Sequence, residues 1–285
     1  MTRIAIFGGN GYLGAQLTAY FTAKDTVCDI FDMPSFDVAH AECWSAFKTA
    51  DYSVILFFAG MTGTEKSFTE AERFLDVNEH GLLNLLTQLA PLGPQAPKII
   101  FPSTRLVYKG SDAPLTEDAP KEAKTVYAAN KLACEYLLQA YHVRCGIPYA
   151  VVRICVPYGN LVSANYSYGT IGFFLKQATE GGPITLYGDG SLRRTFTHVA
   201  DICSAVDGLI QSSITGVFNI GGEDLSLLNV AQIVADKKGV EVEFVPWPTT
   251  AFVLESGSTV FDSTHLERTT GWSVKKAFLD FAKGL

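Results

Sequence analysis

A tyrosine and a lysine stand four residues apart in the segment "YAANK". Tyr127 and Lys131 lie in a stretch with helical periodicity, residues 126–144, so they are predicted to share one face of a helix. An ammonium beside a phenol favours the phenolate and lowers the pKa of the tyrosine. Such a tyrosine can remove a proton from a hydroxyl, or return one, near neutral pH. The same spacing is common on ordinary helix surfaces, so this interpretation needs support from other segments.

Support comes from a pair of hydroxyl residues about twenty positions earlier, in "FPSTRLVY". Ser103 and Thr104 are predicted to lie at the carboxyl end of a fourth strand. Ligands bind at this edge of open α/β sheets. Either hydroxyl can therefore approach the substrate oxygen on which the tyrosine acts.

A glycine-rich stretch, "GGNGYLG", follows the apolar run "RIAIF" directly. Gly8, Gly11 and Gly14 are spaced three apart, and Gly9, Gly11 and Gly14 fit a second register of a dinucleotide-binding turn. Small residues between a strand and a helix let backbone N–H groups and the helix N-terminus approach a pyrophosphate. A glycine pattern alone is weak, but this one lies between a strand and a helix, as the mechanism requires.

An aspartate, Asp32, stands eighteen residues beyond Gly14, at the end of the predicted second strand. A carboxylate there accepts hydrogen bonds from the ribose diol of an adenosine and repels a 2′-phosphate, which favours NAD over NADP. The alternative is an ordinary turn residue before Pro34. The paired glycine and aspartate signals favour the cofactor interpretation.

The elements that position these residues alternate between strands and helices through the first half of the chain. Apolar strands such as "YSVILFFAG" are typical of a sheet that is covered on both faces. A helix over about 65–90 and another over 126–144 separate the later strands. The pattern predicts an α/β fold with a doubly wound parallel sheet. Beyond residue 157 the elements become shorter and loops richer in glycine and proline.

Composition excludes several functional classes. The chain has 285 residues, 22 basic against 29 acidic side chains and a net charge of −7. Nucleic-acid binding is not expected, because it needs a basic footprint. No signal peptide and no membrane-spanning run are predicted. The six cysteines form no C-x-x-C pair, and no metal-ligand spacing is present, so we expect a cytoplasmic protein with reduced thiols and without a metal.

Taken together, these motifs resemble the extended short-chain dehydrogenase/reductases. Within them the chain is most similar to the NAD-dependent nucleotide-sugar epimerase/dehydratase branch, which includes UDP-galactose 4-epimerase. Further segments carry the likeness: "FDVAHAECWSAF", "FLDVNEHGLLNLL", "VVRICVPYGN", "ITLYGDGSLRRTFTHVADI" and "FNIGG". The resemblance implies a Rossmann-like NAD domain over 1–157, with a strand and helix returning near 199–222. Residues 158–285 would mainly form a smaller substrate-binding region.

The resemblance also implies roles for individual residues. Tyr127 would be the acid/base, Lys131 its partner and a ribose ligand, and Thr104 the hydroxyl partner of the substrate. The implied cofactor-binding residues are Gly8, Gly11, Tyr12, Leu13, Gly14, Asp32, Asp37, Val38, Ala59, Gly60, Asn78, Tyr127 and Lys131. The implied substrate-binding residues are Ser103, Thr104, Val156, Tyr187 and Arg194, of which Arg194 would hold the diphosphate.

Three departures from the family pattern narrow the function. Arg105 and Leu106 occupy the positions of the Asp-Glu pair that eliminates water in 4,6-dehydratases, which argues against dehydration. Val156 replaces the usual asparagine after "Arg-x-x". The segment "AFVLESGST" stands where the family has Arg-x-Gly-Asp, so a second diphosphate contact is absent.

We therefore expect an NAD-dependent nucleotide-sugar epimerase, most readily a 4-epimerase, that works as a homodimer. The alternatives are an NAD(P)H-dependent nucleotide-sugar 4-ketoreductase, which shares every site residue, and a non-catalytic NAD-binding sensor or scaffold. The sequence names neither the sugar nor the nucleotide. An aromatic group, Tyr166, Tyr168, Phe173 and Phe174, either stacks on a nucleobase or packs in the core.

Overall fold

The computed structural model describes residues 2–162 and 168–285, so Tyr166 lies outside the described residues. The strands are β1 (Arg3–Phe7), β2 (Val27–Phe31), β3 (Val54–Phe57), β4 (Lys98–Thr104), β5 (Tyr149–Ile154), β6 (Val156–Tyr158), β7 (Ile184–Tyr187), β8 (Arg193–His198), β9 (Gly216–Asn219), β10 (Glu223–Ser226) and β11 (Val242–Val245).

The α-helices are α1 (Tyr12–Thr22), α2 (Ala41–Trp44), α3 (Thr64–Thr69), α4 (Ala71–Phe74), α5 (Gly81–Leu89), α6 (Val126–Cys145), α7 (Gly169–Thr179), α8 (Val199–Gln211), α9 (Leu227–Lys238), α10 (Thr249–Leu254), α11 (Thr264–Thr270) and α12 (Phe278–Ala282). A π-helical segment, Leu75–His80, joins α4 to α5. Short 3₁₀ turns cover Thr49–Asp51, Ala90–Gln95 and Arg105–Val107. No helix in the described ranges is long and apolar enough to cross a membrane.

The chain forms two compact units. The first contains residues 1–107, 123–153 and 206–218. It is built on a six-stranded sheet with the order β2-β1-β3-β4-β5-β9, in which β1 pairs in parallel with β2 and β3, and β3 with β4. The predicted doubly wound α/β fold is confirmed. Because the chain moves outward from β1 to β2 and returns to β3, the order reverses between β1 and β3, and such a switch point opens a ligand crevice.

An aromatic cluster fills the core on one side of this sheet. Phe7 stacks on Phe31 and on Trp44, with ring centres 4.9 and 5.0 Å apart. The strands β3 and β4 are almost wholly buried, as their continuous apolar runs predict. This packing holds the ends of β1, β2 and β3, from which the glycine turn and Asp32 emerge.

Helix α6 carries Tyr127 and Lys131 and begins at a well-defined cap. The Thr125 hydroxyl accepts a hydrogen bond from the N–H of Ala128 at 3.0 Å, and Gly146 ends the helix with a left-handed backbone. Threonine is a favoured N-cap and glycine a favoured terminator, because each satisfies backbone groups that the helix leaves unpaired. The helical segment predicted for 126–144 is therefore delimited by its own sequence.

The second unit contains residues 108–122, 154–205 and 219–285. In it β8 lies between β6, which is parallel to it, and β10, which is antiparallel. A separate parallel pair joins β7 to β11. Helix α9 begins at a capping box between Ser226 and Asn229 and ends at Gly239. The predicted domain boundary at residue 157 remains a prediction.

Candidate functional site

The glycine turn after β1 needs glycine for reasons of close packing. Gly8 has a φ of +80°, and a Cβ on it would lie 2.5 Å from the backbone N of Ala59. A Cβ on Gly14 would lie 2.1 Å from the carbonyl oxygen of Gly8. The turn and the start of α1 therefore pack backbone against backbone. Gly11 at the N-cap has no side chain and makes no side-chain cap to α1, and a helix N-terminus of this kind favours an anion beside it.

Asp32 supports this turn from the end of β2. Its Oδ2 accepts a hydrogen bond from the N–H of Asn10 at 2.8 Å, and its Oδ1 accepts one from Met33 at 2.8 Å. The carboxylate is half-buried. A carboxylate that accepts one hydrogen bond at each oxygen keeps further lone pairs for a ribose diol.

A cavity of about 400 Å³ lies between the glycine turn, the end of β2 and the loop after β3. The predicted cofactor residues that line it are Gly8, Gly11, Asp32, Asp37, Val38, Ala59 and Gly60. Tyr12, Leu13 and Gly14 lie outside the lining, in the first turn of α1, where Tyr12 and Leu13 are half-buried. Seven of the predicted cofactor-binding residues, from the glycine turn and the ends of the strands, thus line one cavity.

Sequence reasoning missed several lining residues: Asn10, Phe31, Met33, Phe36, Phe58, Met61, Arg73 and Val77. Arg73 is the one arginine or lysine among the described residues that line the cavity, and the negative charges of Asp32 and Asp37 lie in the same lining. Its side chain is mostly exposed and lies 3.6 Å from Glu70. No local motif marks Arg73, and only the fold brings the end of α4 to this cavity.

The loop after β3 is held by Asn78. Met61 N–H donates to Asn78 Oδ1 at 2.7 Å, and Asn78 Nδ2 donates to the carbonyl of Met61 at 3.1 Å. The side chain is 2% exposed. Asn78, predicted as a cofactor ligand, thus uses its amide on the backbone of the loop that lines the cavity, and it fixes the position of Gly60.

Lys131 reaches this same loop from α6. Its Nζ lies 3.8 Å from the point that a Cβ on Gly60 would occupy, and 4.4 Å from the ring centre of Phe101. Burial lowers the pKa of Lys131 to about 8, while the neighbouring Cys134 and Glu135 act in the opposite direction. An ammonium at this place remains mostly protonated at pH 7 and contributes a positive charge beside the cavity.

Tyr127 lies one turn before Lys131 on α6 and is half-buried. Its ring meets that of Phe74 edge to face, with centres 6.4 Å apart. The structure thus places the predicted pair on one helix, with the lysine beside Gly60. The aromatic contact with Phe74 orients the phenol.

The two hydroxyl residues at the end of β4 have different surroundings. Ser103 donates to Glu135 Oε1 at 2.5 Å, and Glu135 also accepts from Arg153 Nη2 at 2.5 Å. These three side chains form a buried network, so the Ser103 hydroxyl is directed into the protein. Thr104 is 8% exposed, and its Oγ1 accepts from the N–H of Leu106 at 3.3 Å. Among the described residues, Ser103 therefore belongs to a buried ionic network and Thr104 does not.

The predicted substrate residues Val156, Tyr187 and Arg194 lie in the second unit. Val156 is buried in β6. Tyr187 ends β7, is 44% exposed and packs against Trp247 with ring centres 5.3 Å apart. Arg194 is 2% exposed, and its Nη2 lies 2.7 Å from Glu255 Oε1. In the predicted aromatic group, Phe174 is buried, whereas Tyr168 and Phe173 are exposed.

Comparison with known families identifies the chain's relatives. Residues 4–221 match the family described as the NAD dependent epimerase/dehydratase family. This chain belongs to that family. The predicted resemblance is thereby confirmed, and NAD, the cofactor of the family, is the cofactor that the glycine turn and Asp32 predicted.

Two curated relatives illustrate the range of reactions. A dTDP-L-rhamnose 4-epimerase of Burkholderia thailandensis is 26% identical over 83% of this chain and 81% of its own length. A GDP-6-deoxy-D-mannose reductase of Pseudomonas aeruginosa is 25% identical over 95% of this chain and 91% of its own length. Both are enzymes that act on nucleotide sugars.

A solved structure extends the likeness to nearly the whole chain. The UDP-glucose 4-epimerase of Thermus thermophilus, in complex with NAD, superposes with a TM-score of 0.86 over 99% of this chain and 97% of that chain, at 24% identity. This likeness establishes the fold.

The residues present fit NAD. The uncapped start of α1 suits a pyrophosphate, the Asp32 carboxylate suits a ribose diol, and the 400 Å³ cavity joins the two.

Proposed function

We propose that this chain is an NAD-dependent epimerase of a nucleotide sugar that works through a transient keto sugar. One observation carries the proposal: the Lys131 ammonium reaches the loop at Gly60, which lines the same cavity as the glycine turn and Asp32. The helix with the proton-transfer pair and the dinucleotide-binding turn therefore serve one site. The membership in the epimerase/dehydratase family supports the same proposal.

Each residue has a distinct role in this reaction. Tyr127 removes the proton from a ring hydroxyl of the sugar and later returns it. The Lys131 ammonium stabilises the negative charge that develops on the Tyr127 oxygen as the proton leaves. Thr104 holds the same sugar oxygen through its hydroxyl. NAD, when bound, supplies reversible oxidation at the ring carbon.

Inversion requires that the ring carbon is oxidised on one face of the sugar and reduced on the other face, within one site. Once the hydroxyl has become a ketone, the keto sugar rotates within the site and is reduced again on its other face. The reaction consumes no net NAD. This balance distinguishes an epimerase from a reductase that uses the same residues.

A 4-ketoreductase is the second candidate. It is favoured by the reductase of Pseudomonas aeruginosa, which matches over 95% of this chain. In that reaction Tyr127 only donates a proton to the carbonyl oxygen, and each turnover consumes one reduced cofactor.

The test is to incubate the protein with a panel of UDP-, dTDP- and GDP-linked sugars in deuterated water, with NAD in much smaller amount than the sugar. The product, the reduced cofactor and the deuterium content of the product are then measured. We expect an epimeric product, no net change in reduced cofactor, and no solvent deuterium on the inverted carbon. Consumption of one reduced cofactor for each keto sugar turned over would instead support the reductase.

The variant Tyr127→Phe is expected to lower kcat by about 10² to 10⁴-fold, the usual contribution of a general acid/base. Tyr136, an exposed tyrosine on the same helix, provides the matched control, and Tyr136→Phe should leave turnover unchanged. A chain that binds NAD but turns over no sugar, and whose biological activity survives Tyr127→Phe, would be a sensor or scaffold rather than an enzyme.

A further inference from the structure

The buried network of Ser103, Glu135 and Arg153 joins helix α6 to two neighbouring strands of the first unit. Glu135 Oε1 accepts from Ser103 Oγ at 2.5 Å and from Arg153 Nε at 3.0 Å. Its Oε2 accepts from Arg153 Nη2 at 2.5 Å. Ser103 belongs to β4 and Arg153 to β5, which lie side by side in the sheet. One carboxylate therefore holds three elements together.

Stability alone is a weak reason for a carboxylate at this position. The side chains of Arg153 and Glu135 are only 4% and 5% exposed, so both charges are removed from water. Desolvation costs several kcal/mol for each ion and offsets most of their attraction, and well-packed apolar side chains are often as stable or more stable. A bidentate pair does, however, fix the geometry of its partners. The network is therefore better suited to positioning than to stabilisation.

Both ends of the network lie next to residues of the proposed reaction. Ser103 directly precedes Thr104 at the end of β4. On α6, Tyr127, Lys131 and Glu135 follow one another at intervals of four residues, so they share one face of the helix. A contact at Glu135 therefore fixes the turns of α6 that carry the proton-transfer pair. The hydrogen bond to Ser103 sets those turns against the end of β4.

Glu135 also acts on the charge of Lys131. Burial lowers the pKa of Lys131 to about 8, and Cys134 and Glu135 oppose this shift. Burial raises the pKa of Cys134 to about 12, so its thiol is neutral at pH 7. The carboxylate of Glu135 then supplies the negative charge that favours the Lys131 ammonium.

We propose that Glu135 is a positioning residue for the proton transfer: it links the end of β4 to α6 and so fixes Thr104 relative to Tyr127. The inference rests on the proposed function, which assigns the proton transfer to these residues. The carboxylate of Glu135 also stabilises the ammonium that assists the phenolate. Arg153 balances the negative charge and allows the carboxylate to be buried beside α6.

Three variants separate the link from the charge. Ser103→Ala removes the link to β4 and keeps the ion pair of Glu135 with Arg153. Glu135→Leu is combined with Arg153→Met, because loss of the carboxylate alone would leave a buried guanidinium unpaired. Ser67→Ala is the matched control: Ser67 is 0% exposed, belongs to the same unit and donates to the carbonyl of Thr64 at 2.7 Å.

Steady-state kinetics are measured with a nucleotide sugar that the wild type converts and with NAD at saturation. We expect Ser103→Ala to lower kcat about 10- to 100-fold with little change in KM, because displaced reacting groups slow the step without weakening substrate binding. The double variant should lose at least as much, and adding Ser103→Ala to it should cost nothing further. Ser67→Ala should lower stability and leave kcat unchanged.

The charge of Lys131 is measured independently of turnover, by an NMR titration of isotope-labelled lysine side chains. The variant Lys131→Met assigns the signal. We expect Lys131 to lose its proton at a lower pH in the double variant than in the wild type, because the carboxylate that raises its pKa is gone.

A wild-type kcat in Ser103→Ala would overturn the proposal, as would an equal loss of kcat in Ser67→Ala. A further loss when Ser103→Ala is added to the double variant would also contradict it, because Ser103 would then act on the sugar directly. Absence of sugar turnover in the wild type would count against the proposed function instead. The titration of Lys131 would then decide the inference, and an unchanged titration in the double variant would overturn it.

Discussion

At the scale of single residues, two buried lysines of the first unit have opposite surroundings. Lys98 Nζ donates to three carbonyls, those of Leu209 at 2.7 Å, Ser212 at 2.7 Å and Ile214 at 2.9 Å. Lys131 Nζ instead lies over the ring of Phe101, beside the loop at Gly60. The Lys98 ammonium satisfies carbonyl groups at and just beyond the end of α8. The Lys131 ammonium lies beside a loop that lines the cavity, where we propose that it assists Tyr127.

This contrast predicts opposite effects of the same substitution at pH 7. Burial lowers the pKa of Lys98 to about 8 as well, but Lys98→Met leaves three carbonyl acceptors without their donor. We therefore expect Lys98→Met to lower the free energy of unfolding by about 1 to 3 kcal/mol. Lys131→Met should leave stability unchanged or higher, by up to on the order of 2 to 3 kcal/mol, while turnover is lost. Urea denaturation and the epimerase assay measure the two effects.

The pH dependence has a definite sign. The folded-state pKa of Lys131 is about 8, below its ordinary value of 10.5. The unfolded chain therefore binds more protons between these values, and the wild type gains stability as the pH rises from about 8 to 10.5. The advantage of Lys131→Met should be largest below pH 8 and shrink across that window. A constant difference in stability from pH 7 to 10.5 would contradict this account of Lys131.

At the scale of elements, the glycine turn and α1 form one packed unit. Two of its glycines differ in the space around them. A Cβ on Gly14 would lie 2.1 Å from a backbone oxygen, whereas one on Gly11 would lie 3.3 Å from the same atom. Gly11 also has φ −71° and ψ 168°, which alanine adopts readily.

We therefore expect Gly14→Ala to destabilise the protein by about 1 to 3 kcal/mol through overpacking, and to weaken NAD binding as the turn shifts. Gly11→Ala should fold with nearly wild-type stability and still bind NAD less tightly, since its methyl group occupies part of the cradle. Thermal unfolding and NAD titration separate the two effects. Equal stability of the two variants would show that the turn adapts more easily than its packing indicates.

At the scale of the whole molecule, NAD should stabilise the folded chain by mass action. A ligand at about 100 times its Kd adds roughly 2.7 kcal/mol to the free energy of unfolding. The cavity at the carboxyl ends of β1 and β3 contains one described cation, Arg73, which we expect to attract the pyrophosphate of the cofactor.

The variant Arg73→Ala should therefore reduce the rise in Tm that NAD produces. Lys66→Ala is the matched control, because Lys66 also lies 3.6 Å from Glu70 but does not line the cavity. ADP-ribose should show the same loss as NAD, and adenosine should show none. If both variants respond to NAD as the wild type does, Arg73 has no part in cofactor binding.

The sequence alone determined the fold class, the family and the cofactor, because each depends on local patterns. Apolar strands predict a covered parallel sheet, a glycine turn between strand and helix predicts a pyrophosphate cradle, and a carboxylate after β2 predicts NAD. The position of Tyr127 and Lys131 on one helix follows from their spacing. These features need only short stretches of chain and regular backbone geometry.

Only the tertiary structure decided which charges and hydroxyls are engaged by the protein itself. Ser103 binds Glu135, 32 residues away, and Arg194 binds Glu255, 61 residues away. No local pattern specifies such pairs, because they arise when distant elements pack and exclude water. The burial that lowers the pKa of Lys131 has the same origin. Pairing and burial determine whether an ionisable group is available to a ligand.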